Sequence, residues 1–493
     1  MIVSFTLDGK PKQVELHPGE LARDLLVRLG VLSVRDGCSG QGSCGACTVL
    51  LDGRTVNSCL LLAGQLEGHR VDTVQGLARP RELSVIQQAF VDAGVVQCGY
   101  CTPAMVQATK ALLDRSPRPT REETIDAFSG IFCRCTGYEQ YFAAVELAVA
   151  RLSGKSSARI EVPEFRENLA VVGKARGKID GARLARGEGV FVEDKVLPGS
   201  CHLVMLGSPH AHAYISAIDT SRAEALPGVV AVLTCKNTPQ IPYNQAGQGF
   251  PEPSPYDRTL FGRKLRHVGD RVAAVIAESR DLALAARDLI TVEYEVLEPV
   301  LTIAQAAAEG APVVHAGPIE FVGGAPDRAP VGPVDPRDGT ILYQFPIHAD
   351  PYRNIAARVS GGIGNVPTGL AEAEVVLRRT YTTTQVQCTP VEPHVVYTRM
   401  DGDRLVVHAS TQVPWHVRRI VARVLDIPEN QVRVIKERVG GGFGAKQDIV
   451  LEEVAAYATW STGRPVLYRY DREEEFIASR TRHPMEITVT LGA

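Results

Sequence analysis

Residues 38–59 read CSGQGSCGACTVLLDGRTVNSC, four cysteines strung along a glycine-rich run. Gly37, Gly40, Gly42 and Gly45 let the backbone curl, including through left-handed conformations that side chains resist. A curl of that kind can aim N–H groups at an anion held inside it. Val49-Leu50-Leu51, Asp52-Gly53 and Arg54-Thr55-Val56 are predicted to form a β-hairpin with an Asp-Gly turn, returning the chain so that Cys59 stands on the opposite side.

A second set of four follows in QCGYCTPAM and FCRCTGYEQY: Cys98, Cys101, Cys133 and Cys135. Thr102-Pro103 reads as the cap and first residue of a helix carrying Met105, Val106, Ala108, Leu112 and Leu113 at helical spacing. Thr120-Arg121-Glu122-Glu123 has the form of a capping box, and an apolar helix is predicted from about Tyr141 to Leu152. These cysteines therefore fall at helix ends, where the dipole favours thiolates.

Eight of the eleven cysteines lie in these two sets, and three chemistries compete for them. Disulfides need an oxidising compartment. The N-terminus MIVSFTLDGKPKQVEL has no charged-then-apolar leader, so a cytoplasmic location is expected. Zinc is compatible with C-x2-C, but zinc ribbons use two such knuckles, and the first set has one inside a glycine loop. Plant-type [2Fe–2S] ferredoxins use C-x4-C-x2-C with a later fourth cysteine, one residue shorter in the first gap than here. Two iron–sulfur clusters are the expectation.

The bulk composition is ordinary. The 493 residues suggest about three domains. Hydrophobic residues are 45% and charged residues 22%, and 53 basic against 56 acidic side chains leave a net charge of -3. That balance argues against nucleic acid or anionic membrane as a partner. No run of about 18 apolar residues predicts a membrane span.

The order GCx(5)CGACTVxxDG…SC, QCGYCTPAM, CRCTGY resembles the iron–sulfur module of the molybdenum hydroxylases, the xanthine dehydrogenase and aldehyde oxidoreductase family. The resemblance implies an α+β multidomain chain. A ferredoxin-like β-grasp domain would span 1–77 and a helical [2Fe–2S] domain of four helices 78–155. A linker at 156–172 would precede an α/β hammerhead at 173–298. An extended Ala/Gly/Pro-rich connector, 299–369, would lead to the first half of a molybdopterin-binding domain at 370–493. By position, Gln97 would contact the pterin.

Downstream, VEPH (391–394), ASTQ (409–412), GGGFGAKQD (440–448) and REEEF…RTRHP (472–484) resemble the family's molybdopterin region. Carried over by motif, Gln412 and Phe443 are the candidate catalytic residues. Gln412 would hydrogen-bond an oxygen ligand of molybdenum, and Phe443 would wall a planar substrate. Gln97, Gln412, Gly441, Gly442, Phe443 and Gly444 are the candidate cofactor contacts. Gln447 and Glu392 are candidate substrate contacts, although VEPH could equally brace the loop. The cofactors implied are two [2Fe–2S] clusters and molybdenum-molybdopterin, in its cytosine dinucleotide form.

Other patterns carry no assignment. His210 and His212 alternate, as on one face of a strand, but lack neighbouring ligands and read as structural. Lys446 follows a glycine run, yet Gln447 stands where a phosphate loop needs Ser or Thr, and no dinucleotide fingerprint occurs.

The resemblance implies oxidative hydroxylation of an N-heterocycle, purine as first choice, with an aldehyde or nicotinate-type substrate as the alternative. An electron-transfer subunit with a vestigial molybdenum half is the other reading. No flavin domain is expected, since only a short linker separates the iron–sulfur and molybdenum portions. The family's base, a Glu, lies in the later part of the molybdenum portion, so either the chain is a fragment or, the favoured reading, a second polypeptide completes that portion; a separate FAD subunit is a further candidate partner.

Overall fold

A computed structural model describes residues 1–493 except 161–168, 173, 175–176, 247–248, 253–254, 324–328 and 346. The chain forms two compact units. One comprises Met1–Asp194 with Thr389–Pro393 and Arg438–Gly441; the other comprises Lys195–Cys388, His394–Glu437 and Gly442–Ala493.

In the first unit, β1 (Ile2–Leu7), β2 (Lys10–Glu15), β3 (Thr48–Leu51), β4 (Arg54–Asn57) and β5 (Arg70–Asp72) form a sheet in the order β2-β1-β5-β3-β4. Only β1 and β5 run parallel. Alternation along β1 turns Val3, Phe5 and Leu7 inward against Leu25 and Leu26 of α1 (Ala22–Arg28). This is the β-grasp arrangement. The expected hairpin is β3–β4, and its turn residues Asp52 (φ 49°) and Gly53 (φ 81°) both take the left-handed conformation that an Asp-Gly turn accommodates.

Four helices follow: α2 (Val85–Asp92), α3 (Thr102–Arg115), α4 (Arg121–Phe128) and α5 (Glu139–Leu152). They share a core that includes Phe90, Met105, Val106, Phe128, Tyr141 and Ala148. Thr120 and Glu123 make the expected capping box on α4, and Ser84 with Gln87 makes another on α2. At α3 the cap is Cys101 rather than Thr102, which lies inside the helix with Pro103. Of the expected linker, 156–172, residues 161–168 lie outside the described residues.

The second unit is built on a seven-stranded sheet. Its strands are Val432–Lys436, Arg404–Ala409, Val395–Asp401, Val466–Arg469, Cys201–Gly207, Arg271–Ala277 and Val229–Thr234, in that order. Helices Pro414–Leu425 and Glu452–Thr462 supply Val417, Ile420, Val454 and Ala455 to its core. Strand Cys201–Gly207 pairs in parallel with Val466–Arg469, so one sheet runs through stretches that the sequence reading assigns to separate domains.

Two expectations change. His210 and His212 lie in the bend between strands Cys201–Gly207 and Ala213–Asp219, not on a strand. There His212 Nδ1 donates to Glu298 O (2.7 Å) and His210 packs edge-on to Tyr294, which makes both structural. The connector is not featureless either. It holds helix Ile303–Ala307 and a parallel pair, Ile319–Phe321 with Ile341–Tyr343.

Candidate cluster and cofactor sites

The loop from Gly37 to Cys47 is shaped by glycines for two different reasons. Gly40, Gly42 and Gly45 have φ of 78°, 73° and 64°. Gly37 has no such φ, but a Cβ there would lie 2.6 Å from Val391 O. Polar side chains then occupy the loop's carbonyls. Asn57 Nδ2 donates to Gly42 O (3.1 Å), Thr48 Oγ1 to Gly45 O (2.7 Å) and Ser58 Oγ to Cys47 O (2.8 Å). Asp36 Oδ1 accepts from Cys38 N and Gly40 N, both at 3.2 Å, which fixes the first turn.

The thiols stand in pairs: Cys38 with Cys44, Cys47 with Cys59, Cys98 with Cys135, and Cys101 with Cys133, which also meets Cys135. Within each pair the charge falls unevenly. The Cys44 hydrogen bond holds the Cys38 thiol down to about 5, while Cys44 itself is pushed up by that bond and by burial. Cys133 is likewise lowered by Cys101 and Cys135, and Cys101 raised by Cys133 and burial. Two thiolates cannot share such a space without a cation between them. Bound iron would supply that charge and keep both thiols deprotonated.

Two thiolates per iron suit a [2Fe–2S] cluster in each set. The eight expected ligands thus lie as thiol pairs, two pairs in each set.

The sequence reading missed the groups around the second set. Tyr138 OH accepts Cys133 N (2.8 Å), and Tyr141 OH lies 3.3 Å from Cys101 Sγ. Arg438 Nη1 donates to Cys98 O (3.3 Å) and pairs with Asp180. The i, i+3 tyrosines after CRC were the visible signal. Gln97, next to Cys98, is exposed.

Glu392 is 1% exposed, and its Oε2 accepts Gly440 N at 2.6 Å while its N–H donates to Gly440 O at 3.2 Å. A Cβ on Gly440 would strike Glu392 and Tyr100, so glycine is required there. The Glu392 carboxylate thereby braces the loop at Gly440.

In the second unit, Gln412 follows strand Arg404–Ala409, and its N–H donates to Lys446 O (2.8 Å). The Gln412 side chain is exposed and lies where a Cβ on Gly442 would be. Phe443 has φ 52°, unusual for a bulky residue, and remains 45% exposed, while Gly444 has φ 95°. Cys388 Sγ donates to Phe443 O (3.4 Å). Gln447 is half-buried behind the loop.

Beneath it, Lys446 is 1% exposed and donates to Ser410 Oγ (2.9 Å). His394 faces Glu475 with Nδ1 (2.9 Å) and Ala445 O with Nε2 (3.1 Å). Burial would raise the Glu475 carboxyl, but the His394 charge and hydrogen bonds overcome it and hold it low. Glu475 belongs to helix Arg472–Ile477, so the REEEF motif anchors the loop from below. A small-residue loop with an exposed amide and an exposed aromatic, held rigid underneath, fits a pterin-bound metal approaching from the open side.

Comparison with known proteins agrees with this geometry. Residues 5–78 match the 2Fe-2S iron-sulfur cluster binding domain family and 73–146 the [2Fe-2S] binding domain family. Residues 186–298 match the aldehyde oxidase and xanthine dehydrogenase a/b hammerhead domain, and 347–493 the molybdopterin cofactor-binding domain. The small FeS subunit of nicotinate dehydrogenase from Eubacterium barkeri is 46% identical over 150 residues, which are 30% of this chain and 95% of that protein. The chain belongs to the xanthine dehydrogenase and aldehyde oxidoreductase family. A relative from Escherichia coli O157:H7 named "Probable hypoxanthine oxidase" is 52% identical over 495 residues, covering all of this chain and 52% of that protein. The solved aldehyde oxidoreductase of Desulfovibrio gigas superposes with a TM-score of 0.80 at 27% identity, covering 100% of this chain and 52% of that one. The chain thus spans about half the length of these full-length family members. Among the described residues no helix is long and apolar enough to cross a membrane.

Proposed function

We propose that this chain carries the electron-transfer module and one side of the metal site of a molybdenum hydroxylase that oxidatively hydroxylates an N-heterocycle, with a purine as first choice. The observation that carries the reading is the presence on one chain of two paired-thiol sets and of Gln412 set against the Gly442–Phe443 loop. The purine preference is supported by the likeness to a protein named as a hypoxanthine oxidase. An aldehyde or nicotinate-type substrate is the alternative.

Bound molybdenum would supply an activated oxygen and a two-electron redox centre. The protein's part is positional. The Gln412 amide would orient an oxygen ligand, Phe443 would offer its ring face to a planar substrate, and Gln447 would contribute a neutral donor and acceptor. Glu392 and the His394–Glu475 pair hold the two parts of the loop. Gln97 would meet the pterin.

Turnover in this reading also requires the polypeptide that corresponds to the relatives' other half, where a glutamate base is expected. A ribbon of two strands supports that requirement. Val376–Thr383 pairs antiparallel with Met485–Gly492, and every residue of both is exposed. Its register puts Leu377, Tyr381, Ile487, Val489 and Leu491 on one face, an uncovered apolar strip.

The test is to purify the chain with and without that polypeptide, then measure iron, molybdenum and turnover on hypoxanthine, nicotinate and an aldehyde. Iron should be present in both preparations, and molybdenum and hypoxanthine turnover in the complete one. Iron without molybdenum in the complete preparation would leave an electron-transfer subunit with a vestigial metal half.

A further inference from the structure

Tyr141 lies in the first turn of α5 and is wholly buried. Its ring is clamped edge-on by Phe90 (5.6 Å) and Phe128 (5.8 Å), so the hydroxyl is aimed in one direction. That direction leads to sulfur. The oxygen is 3.3 Å from Cys101 Sγ and 3.9 Å from Cys133 Sγ, its only hydrogen-bond partners among the described residues. These two thiols form one pair, while Cys98 and Cys135 form the other.

A hydroxyl buried among Phe90, Phe128 and Ala144 is costly unless it is hydrogen-bonded. A thiolate can only accept, so the phenol is the donor. We infer that Tyr141 is a positioning residue for the helical cluster: it donates to the sulfurs of the Cys101–Cys133 pair, raises the cluster's reduction potential, and makes the iron held by that pair the one that takes the electron. The physical cause is charge. Reduction adds negative charge that spreads onto the ligand sulfurs, and a hydrogen bond to a more anionic acceptor is stronger, the more so out of water. Hydrogen bonds to sulfur are among the means by which proteins set these potentials. In the first set Ser58 and Thr48 donate to backbone carbonyls, and the hydroxyl that meets a thiol is that of Ser43, beside Cys38.

The inference rests on the reading that these four thiols hold a two-iron cluster, and the iron content of the parent protein tests that separately. The decisive experiment is a redox titration followed by EPR on the full chain, parent against Tyr141→Phe. The helical cluster's signal is identified as the one that survives Cys59→Ala. In Tyr141→Phe that signal should titrate at a lower potential, and the other should stay where it was. An unchanged helical potential, or an equal shift of both signals, would overturn the inference. Proton ENDOR of the reduced parent should also show an exchangeable coupling that Tyr141→Phe lacks, and its persistence in the variant would count against the donor role. Should Tyr141→Phe lose the cluster, 3-fluorotyrosine placed at position 141 alone decides. Its more acidic hydroxyl should raise the helical potential, and an unchanged or lowered value would overturn the assignment.

Discussion

Glu474 and Glu475 are neighbours in one short helix and respond to burial in opposite ways. Glu475 faces His394, whose charge outweighs desolvation and keeps the carboxyl low. Glu474 has Asp471 nearby; burial first, and then that like charge, push its carboxyl up to about 7. A raised carboxyl favours the folded state fully only below its unfolded value of about 4.5, and that advantage is lost as pH rises through 7. Glu474→Gln keeps an acceptor for Asp471 N (2.8 Å), so it should stabilise the protein by an amount that grows from pH 4.5 to 7 and then levels off. Thermal midpoints of parent and variant across that range check it, and a pH-independent difference would refute it. Glu475→Ala leaves the buried His394 without its partner and should cost about 3–5 kcal/mol by urea denaturation. The double change His394→Leu with Glu475→Leu should cost less than that single one, because removing both partners strands neither. Neither glutamate announced its role in the sequence. EEE at a helix start reads as a dipole-facing run, and only the tertiary partner of each carboxylate separates them.

At the level of elements, local chemistry was legible and distant pairing was not. Asp52-Gly53 and the Thr120–Glu123 box were readable because turn dihedrals and caps depend on residues within four positions. The parallel register of Cys201–Gly207 with Val466–Arg469 was not, since nothing in either run names its neighbour. The first cluster loop lies between these extremes. Its glycines signalled a curl, but not which ones lack room. Gly40 has φ 78° and nothing within 4 Å of where a methyl would lie, so Gly40→Ala should cost only the left-handed strain of about 1–2 kcal/mol. Gly45 has φ 64°, and a methyl there would run into Gly130 O, on the segment whose Phe132 N–H meets Cys44 O (2.9 Å). Gly45→Ala should therefore lose the first cluster and roughly half of the bound iron, while the helical cluster's EPR signal survives. Iron analysis beside EPR distinguishes this from general misfolding, which would remove both signals.

For the whole molecule, the sequence disclosed the order of the modules through the spacing of CxxC, CxC and GGGFG, and it was silent on surfaces that become buried only in a larger assembly. The ribbon of Val376–Thr383 and Met485–Gly492 is an exposed surface that local pattern does not announce. A lone pair of strands is marginal in water, and an apolar strip on it draws cover from elsewhere. Leu377 pairs with Leu491 and Tyr381 with Ile487, so two cross-strand pairs on the same face carry large exposed side chains. If the polypeptide corresponding to the relatives' other half covers this strip, Tyr381→Glu with Ile487→Glu should weaken its association at least tenfold, because each carboxylate would have to be desolvated or would hold the surfaces apart. Both positions are exposed on the ribbon and lie outside the two cysteine sets, so the variant should keep both EPR signals and its full iron content. Sedimentation or surface-binding titration of parent and variant against that polypeptide reads the affinity, and amide exchange over 376–383 and 485–492 reads the cover itself. Protection that is gained on binding by the parent and missing in the variant fits the strip as the docking face; equal affinity and equal protection in both would place the contact elsewhere and leave the ribbon's apolar face unexplained.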